Sequence, residues 1–267
     1  MASLGRGLRT SEAPEGVAYA GPVRIVVVVP TYQEADNVGP FLAAVRTNAP
    51  DVEILVVDDN SPDGTGDLAE KAGAELGQIT VLHRPGKEGL GVAYRDGFAW
   101  ALAEGFDVVV QMDCDFSHDP AVIPRLVEQV ATRGADCAIG SRYVPGGSTP
   151  NWPLHRRMLS RWGNRYTSAM LQLGINDATG GYRAYRAQTL RTIHVETTTS
   201  NGYAFMSELA HRMVGARLRL VEIPITFVDR AYGTSKMSVR IMTESMAMVT
   251  AWGTRARLKR RRPPARA

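Results

Sequence analysis

Val52-Glu53-Ile54-Leu55-Val56-Val57-Asp58-Asp59-Asn60-Ser61-Pro62-Asp63-Gly64-Thr65 is the stretch that decides the fold. Its first six residues form a largely apolar, β-branched run, which fits a strand covered on both faces, as in a parallel sheet. Its last eight are nearly all turn formers, and they open with two adjacent carboxylates. Working outward, the same grammar repeats. Upstream, Arg24 to Val29 is another β-branched run, ended by Pro30. Between the two, residues 36 to 48 place Val38, Phe41, Leu42 and Val45 on one face of a helix. Downstream, a helix is expected over 66 to 76, a strand over 79 to 83, a helix over 91 to 104 and a strand over 107 to 112, stopping at Asp113. Asp119-Pro120 then supplies an N-cap and first-turn pair for a helix over 120 to 132, and Cys137 to Gly140 reads as a strand. Alternating strands and helices over 23 to 140 predict a doubly wound α/β sheet, mostly parallel, with right-handed crossovers. Such sheets bind ligands beyond the C-terminal ends of their strands. Asp58-Asp59 and Asp113-Cys114-Asp115 both fall there.

The second half is less regular. Residues 143 to 153 read as a Gly- and Pro-rich loop, 155 to 173 as an arginine-rich helix, and 178 to 186 as a turn and short strand. A helix over 203 to 215, a strand over 218 to 228 and a polar loop over 229 to 238 follow. A last helix, 239 to 259, carries Val239, Ile241, Met242, Met246, Val249 and Trp252 roughly on one side, with a basic tail to residue 267. Residues 1 to 22, rich in Gly, Ala, Pro and Ser, read as a flexible leader without the apolar core of a secretory signal.

The bulk composition narrows the classes. With 267 residues, 44% hydrophobic and 22% charged, the chain can fold around its own core. A net charge of +4 does not make the whole molecule a polyanion binder. Arg255 to Ala267, however, holds seven Lys or Arg and no acid, which suits an anionic membrane surface, a nucleic acid or simply a solvated end. Cys114 and Cys137 lack metal-site spacing and read as buried thiols in a reducing cytoplasm. No run reaches the roughly 20 apolar residues that span a bilayer.

Two carboxylates two residues apart beyond a strand, Asp113 and Asp115, suit Mg2+ or Mn2+, which keep open positions for substrate phosphates. The alternative is a turn former beside a solvated charge. Asp58 and Asp59 repel each other unless hydrogen-bond donors or a cation satisfy them; a nucleobase N–H and a ribose hydroxyl are candidate donors.

Pro30 to Glu34, Val56 to Thr65, Gln111 to His118 and Gly140 to Tyr143 together resemble the inverting family 2 glycosyltransferases of the GT-A fold. Asn151-Trp152-Pro153 with Arg156-Arg157, Gly180 to Tyr185, and Phe227 to Lys236 resemble the polyprenol-phosphate and dolichol-phosphate mannose synthases within that family. The match runs in order from about residue 23 to 238. It implies a single catalytic domain with a nucleotide-sugar half (23–140), an acceptor half (141–238) and a C-terminal amphipathic helix and tail (239–267). Pro30, Tyr32, Glu34, Asp58, Asp59 and Asp113 would cradle the nucleotide sugar. Asp113 and Asp115 would hold the metal. Ser117 stands where relatives often carry Gln; direct coordination and a bridging water both stay open. Arg142, Arg156, Ser160, Arg230 and Lys236 would gather the acceptor phosphate and donor diphosphate, with Arg142 and Arg230 acting beside the carboxylates in catalysis. The reaction so implied transfers mannose from GDP-mannose to polyprenyl phosphate, on the inner face of the plasma membrane, with a membrane-embedded protein as a further partner and no nucleic acid. Transfer of glucose, transfer to a saccharide, and a noncatalytic nucleotide-binding module remain the alternatives.

Overall fold

Val26, Val27, Val28 and Val29 are all fully buried, as a strand covered on both faces requires. They lie in β1 (Ile25–Thr31), at the middle of the sheet in the computed structural model, which describes residues 22–202, 204–230 and 239–261. Lys236, the leader up to residue 21 and the tail beyond Arg261 lie outside the described residues. β2 (Glu53–Asp58), β3 (Ile79–His83), β4 (Val108–Gln111), β5 (Cys137–Ser141), β6 (Arg183–Arg186) and β7 (Leu220–Pro224) complete a sheet of order β3-β2-β1-β4-β6-β5-β7. β6 alone runs against its neighbours β4 and β5. The other pairings are parallel.

Strand residues alternate between two cores. Val27, Val29, Ile54 and Val56 meet α1 (Ala35–Asn48), α2 (Thr65–Leu76) and α4 (Ile123–Ala131) on one face. Val26, Val28, Leu55 and Val57 meet α3 (Leu90–Ala103) and α7 (Ala204–Gly215) on the other. Each fully buried valine contributes about 1.5–3 kcal/mol, so β1 anchors both layers at once. Gly97 lets α3 approach: a Cβ there would come within 2.5 Å of Val28 Cγ1.

Four elements differ from expectation. The helix expected over 120–132 is split into a 3-10 turn, Pro120–Val122, and α4. Pro124 has no N–H for the carbonyl of Pro120, which is bonded by the N–H of Ile123 instead. The expected cap holds: Asp119 accepts from Ala121 N at 2.9 Å. The strand expected over 218–228 keeps only Leu220–Pro224, because its one partner β5 ends at Ser141; beyond it Ile225 N still donates to the Ser141 carbonyl at 3.1 Å and Ser148 and Thr226 form an isolated bridge. Between β6 and α7, α6 (Ala187–Thr192) and a 3-10 turn, Val195–Thr197, form without having been anticipated.

The last helix, α8 (Val239–Arg261), packs on α5 (Leu154–Leu171) and on α7. Val249 is buried and Trp252 lies against the same core. Tyr166 and Thr250 share a 2.6 Å hydrogen bond. A Cβ on Gly253 would fall 2.5 Å from the carbonyl oxygen of Met170, so the two helices cross at backbone distance. The apolar side of α8 at Val249 and Trp252 therefore faces the protein. Both cysteines are buried free thiols, and burial pushes Cys137 up to about 12.

Candidate active site

β1, β2 and β4 end side by side, so the loops after them share one edge. The loop after β1 is tied to the loop after β2 by Gln33 N donating to Ser61 Oγ at 3.1 Å and Glu34 N to Thr65 Oγ1 at 3.0 Å. Lys87 stands 4.0 Å from the ring centre of Tyr32, and Glu34 accepts from Asn37 at 2.7 Å. Pro30 closes this stretch within β1.

Asp58 and Asp59 are both buried but differently satisfied. Asp58 accepts from Thr31 Oγ1 at 3.0 Å, Ser61 N at 2.9 Å and Ser61 Oγ at 2.6 Å. It organises its own turn. Asp59 instead meets the guanidinium of Arg84, which also reaches Asp96 at 2.7 Å and Glu88 at 3.0 Å. Burial raises Asp59 above the ordinary carboxylate range, and Arg84 offsets this only in part. Sequence reasoning missed Arg84. Its signal was a cation directly after the third strand, on the same sheet edge.

Asp113 and Asp115 lie just past β4; Asp115 is buried and Asp113 partly so. Tyr94, from α3, donates to Asp113 Oδ1 at 2.8 Å. The second oxygen points toward Gly181, where an added Cβ would lie 3.7 Å away. Asp115 Oδ1 accepts from Ser117 N at 3.0 Å, and its Oδ2 pairs with Arg230 at 3.1 Å. Phe116 between them is left-handed, at φ 59°, which folds the loop back on itself. Burial raises Asp113, and repulsion from Asp115 adds to this. Among the described residues no group of three or more His, Cys, Asp or Glu is placed to hold a metal. The pair Asp113 and Asp115 offers hard oxygen donors of the sort that bind a divalent cation together with substrate phosphates.

The second half closes over this edge. Ser117 is buried beside His118, which stacks on Tyr182 at 4.9 Å and meets Phe227 edge-on at 5.4 Å. Phe227 in turn meets Trp152 at 5.6 Å. His118 Nδ1 is buried without a hydrogen-bond partner, and burial lowers the ring's pKa. Arg156 lies 4.0 Å over Trp152 and pairs with Asp229 at 2.8 Å. Arg142 holds Asp177 in a bidentate pair, both bonds at 2.7 Å, and donates to Thr179 at 3.0 Å. Asp177, fully buried, also accepts the backbone N–H groups of Arg142 and Gly180. Desolvation would raise its pKa, but Arg142 outweighs it and holds the carboxyl low. Ser160 accepts from Tyr143 at 2.6 Å. Arg142, Arg156 and Ser160 are thus joined to one aromatic and hydrogen-bonded patch through Tyr143 and Trp152, while Arg230 reaches the carboxylates directly. Tyr94 and Asp177 went unrecognised in the sequence, since each meets its partner only through the fold.

The family model for glycosyl transferase family 2 matches residues 26–193. The chain belongs to this family. Among family members, it is 48% identical over 235 residues to an undecaprenyl-phosphate mannosyltransferase of Micrococcus luteus, covering 88% of this chain and 96% of that protein. It is 46% identical over 258 residues to a polyprenol monophosphomannose synthase of Mycolicibacterium smegmatis, covering 96% of this chain and 97% of that one. Solved structures share the glycosyltransferase's fold. Glucosyl-3-phosphoglycerate synthase from Mycobacterium tuberculosis, in complex with Mn2+, UDP and glucosyl-3-phosphoglycerate, aligns with TM-score 0.64 at 19% identity, over 88% of this chain and 80% of that one. A mannosyltransferase from Pyrobaculum calidifontis, in complex with GDP-Man and Mn2+, aligns with TM-score 0.60 at 16% identity, over 95% and 68%. The resemblance read from the sequence and the GT-A fold class are thereby established, and the chain is a glycosyltransferase.

Proposed function

We propose that this glycosyltransferase moves mannose from GDP-mannose to a polyprenyl phosphate, inverting the anomeric carbon and releasing GDP. The observation that carries this reading is the nearly full-length similarity to two proteins named for mannosyl transfer to such lipids. Pro30, Tyr32, Glu34, Asp58 and Asp59 are assigned to the nucleoside side. Arg142, Arg156, Ser160, Arg230 and Lys236 are assigned to the acceptor phosphate and donor diphosphate, which arginine forks grip well.

Asp113 and Asp115 are assigned to a divalent cation, Mg2+ or Mn2+, with Ser117 joining directly or through water. The residues fit one: burial and the neighbouring Asp115 carboxylate raise the proton affinity of Asp113, and a cation between the two carboxylates and a diphosphate would relieve that. Bound there, it would neutralise the diphosphate and help the nucleotide leave. The acceptor's own chemistry removes the need for a base. A phosphate monoester has a second pKa of about 6, so its oxygen is already a nucleophile at pH 7. What the protein must supply is charge neutralisation between two anions, and Arg230 beside Asp115 supports that role. The lipid acceptor puts the reaction at a membrane surface, assigned here to the cytoplasmic face; among the described residues no helix is long and apolar enough to cross a membrane.

The test is transfer of radiolabel from GDP-mannose to a short polyprenyl phosphate with Mg2+ or Mn2+, counted in the organic phase. Label lost on adding EDTA and in Asp115→Ala is the expected result. Label from another nucleotide sugar alone would overturn the donor. No label from any donor would overturn the reading.

A further inference from the structure

α5 is built inside out. Its buried residues Asn164, Thr167 and Leu171 face the core. Leu154, Met158 and Trp162 recur every four residues, roughly half a turn around the helix from that face. They are 67%, 62% and 52% exposed, and Leu159 beside them is 50% exposed. An ordinary surface helix is polar there. The only other large hydrophobics so exposed among the described residues are scattered singly, on α2, on α8 and after β7, so the four on α5 form the one cluster.

The charges beside this stripe say what covers it. Arg157, Arg161 and Arg165 also recur every four residues, are exposed, and form a parallel row along its edge. No acid occurs between Leu154 and Leu171. α8 adds Arg255 and Arg257 at the far end of α5, where Arg257 bonds to the carbonyl of Ala169 at 3.2 Å. A groove of about 580 Å3 lined by Tyr143, Arg161, Arg165 and Asn176 opens alongside. An apolar stripe edged by a row of cations matches a bilayer surface, with apolar side chains entering the acyl boundary and cations meeting anionic headgroups. A protein partner would need acids matched to the row. A second copy of this chain would set the same arginines against each other.

We propose that the outward face of α5, Leu154, Met158, Leu159 and Trp162 with the arginine row 157, 161 and 165, is the surface that seats this protein on an anionic membrane. α8, whose Val249 and Trp252 serve the core, flanks it and does not insert there. The proposal deepens the preceding one, since the same helix carries Arg156 and Ser160, assigned above to the acceptor phosphate. A bilayer-bound α5 would thus hold them on its protein-facing side, directly above the membrane surface.

The experiment is co-sedimentation of the full chain with phosphatidylglycerol vesicles and with phosphatidylcholine vesicles. Wild type should pellet with the first and far less with the second, and added salt should weaken this. Leu154→Ser/Trp162→Ser should bind about tenfold or more weaker, while Leu68→Ser, an exposed leucine on α2, should bind as wild type. Because the two α5 positions are exposed, the double variant should keep its unfolding midpoint and its turnover of a water-soluble short-chain prenyl phosphate. Wild-type binding by the double variant would overturn the proposal. So would a wild-type chain that ignores phosphatidylglycerol, or one that dimerises through this face instead. Vesicle binding that tracks these variants while no donor supports turnover would sink the mannosyltransferase reading and leave the membrane surface standing.

Discussion

Asp58 and Asp113 each stand where a strand of the parallel sheet ends, whereas Arg142, Arg156 and Arg230 sit on loops and a helix of the half that follows. The acids are positioned by backbone: parallel register puts β1, β2 and β4 level, and short turns do the rest. The arginines are positioned by other side chains. Arg142 is held by Asp177, Arg156 by Asp229 and Trp152, and Arg230 by Asp115. The lesson is that backbone register brings the acids to one edge, where Thr31, Arg84 and Tyr94 then satisfy them, whereas the arginines of the second half are placed by charge pairs distant in sequence. An incoming phosphate must therefore meet arginines that already have partners.

This comparison can be broken in four places. The largest effect is expected from Asp115→Ala, which removes a proposed cation ligand and the partner of Arg230 together. Transfer should fall roughly a thousandfold with an unchanged unfolding midpoint, and a loss under tenfold would show that the carboxylate edge is not the catalytic one. Next is Asp177→Asn, which leaves Arg142 buried without its counter-charge. Unfolding in denaturant should show a cost of about 3–5 kcal/mol; a cost near zero would mean that the cationic half does not depend on its pairs.

The same residue makes a pH prediction. Its folded pKa lies below that of a free aspartate, about 3.9, so its contribution is fully present above that value. It is lost as pH falls through the folded pKa. The stability gap between wild type and Asp177→Asn should accordingly hold at pH 5 to 7 and narrow only below about pH 4. A gap that closed between pH 5 and 7 would contradict the depressed pKa.

Tyr94→Phe sharpens the comparison from the acid side. It removes one donor to Asp113 and leaves the ring packing against Phe98 and Phe205. Activity or apparent metal affinity should drop about tenfold to a hundredfold, and wild-type metal dependence would remove Tyr94 from any positioning role. The smallest effect belongs to Arg156→Ala. The Arg156–Asp229 pair is about half exposed, so stability should change by less than about 1 kcal/mol, while the KM for acceptor rises with kcat little changed. A KM that stays put would take Arg156 out of the acceptor site.

Strand and helix positions in the first half were legible because each is a local period: two for strands, 3.6 for helices, punctuated by Pro, Gly and Asp. α4 was misjudged at its start because Pro124 acts four residues back. α6 was missed because six residues are too few for a period to declare itself. Of the site, Asp58, Asp59, Asp113 and Asp115 could be picked out as strand-end acids. Arg84, Tyr94 and Asp177 could not, since their partners lie 25, 19 and 35 residues away and no spacing rule links them.

By itself, then, the sequence determined the parallel sheet, the edge where its acids collect and the family, because these follow from short-range patterns of polarity and turn chemistry. Only the tertiary structure decided which acid faces a cation, which arginine is already paired, and that α5 rather than α8 turns its apolar side outward. That last choice depends on which helix face reaches the core first. Val249 and Trp252 find it, while Leu154, Met158 and Trp162 are held away from it by Asn164, Thr167 and Leu171 on the opposite side of their own helix.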